Sequence, residues 1–185
     1  MDRVRNAPPQ REEVGALSMV ELIARYRLGV ENFDRRVFEL TDAQLDTPFR
    51  PESGVGLWPA RVLLGHLADA EVPSVYRMRR VVAEERPVLE AWDEQAFIDA
   101  GMYGGVEGGA KSPIGGFIAT IHTLRQWSGE WLVTLADAAW SRSGLHTQAG
   151  EQSLRDLVDK AVWHLEHHAW YLNQKVALFL GNPRW

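Results

Sequence analysis

The feature that most constrains the fold is a long amphipathic pattern in the C-terminal part of the chain, from about Leu154 to Leu180. Its apolar residues recur every three or four positions, so they share one face of an α-helix. Ser153, with Asp156 three residues later, predicts a capping box at the start of this helix. Gly181, followed by Pro183, predicts its end. We therefore expect one long helix with a buried face.

Three further segments carry the same periodicity. The first begins after Ser18, whose capping box would be completed by Glu21, and continues to about Thr41. The second opens at Pro59, because proline suits the first helical position, and the third follows Pro113 for the same reason. Four long amphipathic helices predict an all-α protein with the architecture of a four-helix bundle.

The segments between these helices contain turn-forming residues and lack the alternation that is typical of strands, so we expect loops there. Pro73 lies within the second helical pattern and should kink or split that helix, since it removes a backbone donor. Residues 93–100 are expected to form a short helix, and the glycine-rich residues 101–109 suggest a lid. We expect residues 1–17 to be a polar tail and residues 18–182 to be the bundle domain.

Composition excludes several classes of function. The formal net charge is −5, and no basic face is apparent, so we expect no nucleic-acid partner. No stretch of the sequence approaches about 18 consecutive apolar residues, and the N-terminus lacks an apolar signal core. We therefore expect a cytoplasmic protein that does not associate with membranes. The chain has 0 cysteines, so a bound metal ion would need histidine and carboxylate ligands.

Three histidines indicate where such an ion would bind. His164 and His168 lie one helical turn apart along the apolar stripe of the last helix, and His66 lies on the apolar stripe of the second. Neutral imidazoles in this arrangement can share one divalent cation, and a site with three histidines and an open position is typical of catalytic zinc. Nickel or iron would accept the same ligands. The alternative is three core histidines that are hydrogen-bonded without any metal.

The sequence does not identify a general base. The segment His-Leu-Glu-His-His places Glu166 on another side of the helix from His164, so a zincin arrangement is absent. Asp69, Glu71 or a loop residue could accept a proton. Asp69, one turn from His66, could also fix an imidazole tautomer, although a solvent-facing carboxylate is an equal alternative. His167 is expected at the edge of the site or hydrogen-bonded there.

These residues also carry a family resemblance. Residues 58–71, which read Trp-Pro-Ala-Arg-Val-Leu-Leu-Gly-His-Leu-Ala-Asp-Ala-Glu, together with Trp-His-Leu-Glu-His-His at residues 163–168, resemble the DinB/YfiT-like superfamily of metal-binding bundles. Trp58 and His66 match the family's tryptophan and histidine, eight residues apart, in the second helix. His164, His167 and His168 match its fourth-helix motif. Tyr171 stands where relatives often carry glutamine or histidine.

The resemblance implies a four-helix bundle of up-down-down-up topology, a zinc or nickel ion bound by three histidines, and homodimers. It further implies that the metal activates a low-molecular-weight thiol, as in S-transferases and isomerases of the family, while other members are named hydrolases without a known substrate. Our leading hypothesis is an enzyme that acts on a small molecule through an activated thiol or water. Asp69, Glu71, His167 and Tyr171 are candidates for the surroundings of the metal or for the substrate pocket. The alternative is a non-catalytic metal-binding protein of the stress response.

Overall fold

The computed structural model describes residues 7–49, 54–104 and 111–182. Its α-helices in chain order are α1 (Arg11–Gly15), α2 (Met19–Leu28), α3 (Asp42–Leu45), α4 (Gly54–Leu57), α5 (Ala60–Ala83), α6 (Glu94–Asp99), α7 (Ile114–Leu132) and α8 (Leu154–Leu180). The strands are β1 (Val88–Leu89), β2 (Ser143–His146) and β3 (Gly150–Ser153). Among the described residues, none of the helices has the length and apolar character needed to cross a membrane.

Four helices build the bundle. Helix α5 packs against α7 and α8, and α2 packs against the same two helices from the opposite side. Buried apolar residues of α5, α7 and α8 form one core cluster, with Leu67 and Leu165 fully buried in it, and those of α2 join the same three helices in a second cluster. The predicted four-helix bundle is confirmed, and the long connection between α5 and α7 contains β1 and α6.

The predicted helix starts are confirmed where local chemistry determines them. Ser18 and Ser153 each accept a hydrogen bond from the backbone three residues later, and Glu21 and Asp156 complete the two capping boxes. The short helix α6 begins after Asp93, whose carboxylate accepts the N–H of Ala96 at 3.1 Å. These signals lie within one turn of sequence, which is why they could be read without knowledge of the fold.

The first long helix ends earlier than predicted. Helix α2 stops at Leu28, and Gly29 has a φ of 46°, in the left-handed region that favours glycine. A Cβ atom at Gly29 would lie 3.0 Å from Cδ of Arg125, so the backbone approaches α7 closely here. Two 3₁₀ segments, Gly29–Asn32 and Arg35–Glu39, then continue the chain. The prediction of a helix up to Thr41 is wrong because the apolar spacing fits a 3₁₀ path as well.

Pro73 was predicted to kink or split the helix that contains it. Helix α5 is continuous from Ala60 to Ala83 with Pro73 inside it, so the proline does not split it, and the kink stays a prediction. Burial explains the continuity. Ala70, Val75 and Met78 on either side of the proline are buried against neighbouring helices, and this packing offsets the loss of one backbone donor.

The prediction that the connections contain no strands is wrong. Strands β2 and β3 form an antiparallel hairpin, and β1 pairs in parallel with β2. The N–H groups of Leu145 and Thr147 donate to the carbonyls of Pro87 and Leu89 at 2.9 and 3.0 Å. Strands of two to four residues are too short for an alternating pattern, and β1 finds its partner more than 50 residues away in sequence.

The N-terminal segment includes the short helix α1, which packs against α8. Val14 of α1 is fully buried in the core of this end of the bundle. Residues 1–6 lie outside the described residues, and the domain boundary near residue 18 stays a prediction. Most of the predicted lid, from residue 105 onward, also lies outside them.

Candidate metal centre

The three histidines singled out in the sequence come together between α5 and α8. Nε2 of His66 lies 3.0 Å from Nε2 of His164. His168, one turn further along α8, completes a cluster in which one nitrogen of each ring lies within 4.8 Å of the others. The spacing of four residues on α8 places His164 and His168 on one face, and α5 packs against that face.

Burial keeps these imidazoles neutral. His66 is 1% and His168 is 4% exposed. Burial lowers the pKa of His66 to about 4. It also lowers the pKa values of His164 and His168 well below their usual range, and the proximity of the other histidines adds to both effects. Neutral rings present lone pairs to an ion without requiring deprotonation.

The donor set fits a divalent cation. Three neutral imidazoles are ligands that zinc and nickel accept. Nitrogens bound to one ion at about 2.0–2.1 Å lie roughly 3.0–3.4 Å apart, and the separation between the rings of His66 and His164 agrees with this. The separation of 3.0 Å is also that of a hydrogen bond between the two rings, but the buried Nδ1 atoms of His66 and His168 have no hydrogen-bond partner among the described residues.

Two tryptophans enclose the cluster. The ring of Trp58 lies 4.9 Å from that of His66 and 6.0 Å from that of His168. Trp92, which precedes α6, stacks on His66 with ring centroids 5.5 Å apart. Their aromatic surfaces limit the access of water to this side of the histidines. Trp92 was not identified from the sequence, because nothing in its local pattern links it to a residue of α5.

Asp69 does not fix the tautomer of His66. Its carboxylate accepts the hydroxyl of Tyr103 at 2.8 Å. The ring of Tyr103 packs directly on Gly65, where a Cβ atom would lie 2.3 Å from a ring carbon. Glu94 approaches His66 from α6, but 3.9 Å separates its Oε2 from Nδ1, which exceeds a hydrogen bond. Asp69 therefore positions Tyr103, which packs beside His66, and does not bind the imidazole of His66.

Glu71 belongs to a buried ion pair. Nε of Arg125 on α7 donates to its Oε1 at 2.7 Å, and both side chains are almost completely buried. The guanidinium also donates to the carbonyl of Ala161 on α8, at 2.6 Å. Oε2 of Glu71 has no hydrogen-bond partner among the described residues. Burial raises the pKa of this carboxyl, against the effect of Arg125. Arg125 was missed because its partners lie on other helices.

The remaining candidates on α8 lie outside the cluster. His167 packs against Trp163 and Tyr171, with ring centroids 5.1 and 5.3 Å apart, and burial lowers its pKa. Tyr171 is half-buried and packs against the core. Glu166 pairs with Arg25, whose Nε donates to it at 2.9 Å, which agrees with the prediction that this carboxylate does not serve the site.

A cavity of about 540 Å³ leads from His164 to the surface. Its wall combines α5, the segment before α6, the turn after β2 and the middle of α8. Charged and polar side chains that line it include Glu71, Arg77, Glu94, His146, Lys160 and His164. The volume lies in the range of sites for small molecules. His146 ends strand β2, and no local sequence pattern links Arg77 or Lys160 to this cavity.

A family model described as the DinB superfamily matches residues 4–172. The chain belongs to the DinB superfamily. The predicted family membership is thereby confirmed, and it covers the helices that carry all three histidines.

Members of this family from bacilli are similar along most of their length. The protein named "Putative metal-dependent hydrolase YfiT" from Bacillus subtilis (strain 168) is 30% identical over 139 residues, which are 73% of this chain and 71% of that protein. A relative from Bacillus pumilus (strain SAFR-032), named "Putative metal-dependent hydrolase", is 30% identical over 146 residues, covering 75% and 73% of the two chains.

A solved structure agrees with the fold. It is described as "YfiT from Bacillus subtilis is a probable metal-dependent hydrolase with an unusual four-helix bundle topology". It superposes on this DinB superfamily member with a TM-score of 0.65 at 25% identity, covering 98% of this chain and 93% of that one. The DinB/YfiT-like four-helix bundle predicted from the motifs is therefore confirmed, with a small sheet added to it.

Proposed function

We propose that this protein is a metal-dependent enzyme in which His66, His164 and His168 bind one divalent ion, zinc or nickel. The ion would activate a water molecule or a low-molecular-weight thiol for attack on a small electrophilic substrate. The observation that carries the proposal is the convergence of three neutral imidazoles, two of them buried and that of His164 half-buried, at the inner end of an open cavity.

The open cavity favours catalysis over a purely structural ion. Structural zinc sites are closed by four protein ligands, whereas catalytic sites keep a position for water or substrate. Among the described residues, the cluster contains three histidines and no fourth ligand. His164 also lines the cavity, so a small molecule could reach the site from the surface.

A bound ion would supply Lewis acidity and lower the pKa of a nucleophile beside it. The protein supplies the rest. Trp58 and Trp92 shield the histidines from bulk water. Glu71 lines the cavity with His164, its Oε2 has no hydrogen-bond partner in the described part of the chain, and burial raises its pKa, so it is suited to accept a proton from the nucleophile. Arg125 fixes the orientation of that carboxylate.

Water and thiol remain two versions of this proposal. The names of the relatives from bacilli favour water and hydrolysis. The family resemblance favours a thiol and S-transfer. With 0 cysteines in the chain, the sulfur would have to come from a free thiol.

The proposal is tested with untagged protein loaded with zinc or nickel. One assay follows conjugation of monochlorobimane with a panel of low-molecular-weight thiols, and the other follows hydrolysis of ester and amide substrates without thiol. We expect turnover in one assay and a loss of at least about a hundredfold in His168→Ala. His122→Ala, which removes an exposed histidine of α7, is the matched control and should retain full activity. Equal rates for wild type and His168→Ala in both assays would contradict the proposal.

A further inference from the structure

The cavity beside His164 has an outer end whose chemistry differs from that of the histidine cluster. Arg77 of α5, Lys160 of α8 and His146 of β2 all line it. Lys160 precedes His164 by one turn on the same helix, so the two residues are separated by about 6 Å along the helix axis. A ligand of ordinary size could therefore contact both ends of the cavity at once.

The hairpin fixes the role of His146. Its side chain is 8% exposed, and Nδ1 accepts the backbone N–H groups of Gln148 and Ala149, each at 3.2 Å. A nitrogen that accepts two hydrogen bonds carries no proton, so the proton of the neutral ring is on Nε2. Burial lowers the pKa of His146, and the nearby charges of Arg77 and Lys160 lower it further. The ring is therefore a neutral donor.

Arg77 and Lys160 are the two cations that line this cavity. Within the described parts of the chain, neither forms an ion pair. The described hydrogen bond of Arg77 goes to the carbonyl of Glu90. Burial lowers the pKa of Lys160, and the charge of Arg77 lowers it further, so the two cations lie within electrostatic range of each other. Two like charges thus line one cavity, and their mutual repulsion favours an anion between them.

Three carboxylates that line the same cavity do not pair with Arg77 or Lys160. Glu71 is bound by Arg125, and Asp93 caps the N-terminus of α6 through Ala96. Glu94 is 54% exposed and lies nearer to the histidine cluster, 3.9 Å from Nδ1 of His66. The charge of Glu94 raises the pKa of Lys160, so this acidic side chain opposes the field of the two cations.

We propose that Arg77, Lys160 and the Nε2–H group of His146 form a binding site for a carboxylate or phosphate group. This inference rests on the proposed function, since the anionic group would belong to a small substrate or thiol whose reacting atom reaches the histidine cluster. A guanidinium, an ammonium and a neutral N–H donor together provide the charge-assisted hydrogen bonds that such an oxyanion accepts. The substrate class is thus an anionic small molecule.

The test measures anion binding to the metal-free, full-length protein by calorimetry at constant ionic strength. Succinate and inorganic phosphate are the probes, and succinamide is the neutral counterpart of succinate. We expect one of the two anions to bind in the millimolar range and succinamide not to bind. Binding should weaken at least about tenfold in Arg77→Gln and in Lys160→Gln, and strengthen in Glu94→Gln.

Arg35→Gln is the control for net charge, because its side chain is 85% exposed and pairs with Glu31 away from the cavity. It should bind the anion as wild type does. No anion binding to wild type, or equal weakening by Arg35→Gln and Lys160→Gln, would overturn the inference. Since Lys160 is exposed, its replacement should not impair folding, which thermal unfolding of each variant checks.

Metal content of the same variants separates this inference from the proposed function. We expect Arg77→Gln and Lys160→Gln to bind zinc as wild type does. If the anion binds as expected and wild type binds no metal, the proposed function fails while the anion site stands. If zinc binds and neither anion does, the inference fails alone.

Discussion

Burial sets the chemistry of individual residues in this protein. His66, His164 and His168 are neutral because an imidazolium ion would lose its hydration between α5 and α8. The same burial makes Arg125 and Glu71 dependent on each other, since removing one would leave an uncompensated charge in the core. Both effects depend on the assembled helices.

The histidines predict how the stability of the metal-free protein depends on pH. The pKa of His66 is about 4 when folded and 6.5 when unfolded, so the unfolded chain binds more protons between these values. The free energy of unfolding is therefore highest above pH 6.5 and decreases as the pH falls from 6.5 towards 4. At pH 5 the decrease from His66 alone is about 2 kcal/mol.

Urea unfolding of the metal-free protein at pH 7 and pH 5 measures this difference. In His66→Gln, the difference in unfolding free energy between the two pH values should be smaller by about 2 kcal/mol. Replacement of the exposed His122 by glutamine should leave this difference unchanged. The same pH dependence in wild type and His66→Gln would show that this histidine is not held neutral by burial.

At the level of elements, the small sheet positions His146. Strand β2 carries this histidine at its end, and β1 holds β2 in place. Gly144 permits that pairing, because a Cβ atom there would lie 2.7 Å from the carbonyl oxygen of Pro87. The hairpin is thus part of the cavity wall, and its geometry depends on one small residue.

Gly144→Ala should separate β1 from β2. The amide protons of Leu145 and Thr147, which donate to β1, should exchange at least about tenfold faster, and the protein should lose about 1–3 kcal/mol of stability. NMR-detected hydrogen exchange measures the first effect. Gly115→Ala is the control, since nothing lies within 4 Å of the added methyl group. Unchanged protection of Leu145 in Gly144→Ala would contradict this account of the sheet.

Features that depend on interactions within one helical turn could be predicted from the sequence, and features that depend on distant residues could not. The start of α8 could be predicted because Ser153 and Asp156 act within one turn. The end of α2 could not, since it depends on the contact of Gly29 with Arg125, almost 100 residues away in sequence. In the site, the spacing of His164 and His168 predicted their shared face. Trp92, Arg77 and Lys160 contribute only through tertiary contacts, so no local pattern identified them.

At the scale of the whole molecule, the proposed ion would connect two helices of the bundle. His66 lies on α5 and the other two histidines on α8, and these helices form one of the main contacts of the fold. Arg125 of α7 connects to the same pair through Glu71 and Ala161. The arrangement of the bundle therefore determines the geometry of the site, and metal binding should favour the folded state.

The most direct measurement is X-ray absorption spectroscopy of untagged protein loaded with zinc, together with its metal stoichiometry. We predict one ion per chain with three imidazole nitrogens at about 2.0–2.1 Å and at least one light-atom ligand from solvent. His168→Ala should lose one imidazole from this shell, and His122→Ala should not. A protein that binds no zinc, or that binds it equally after replacement of His66, His164 and His168 by alanine, would contradict the central claim.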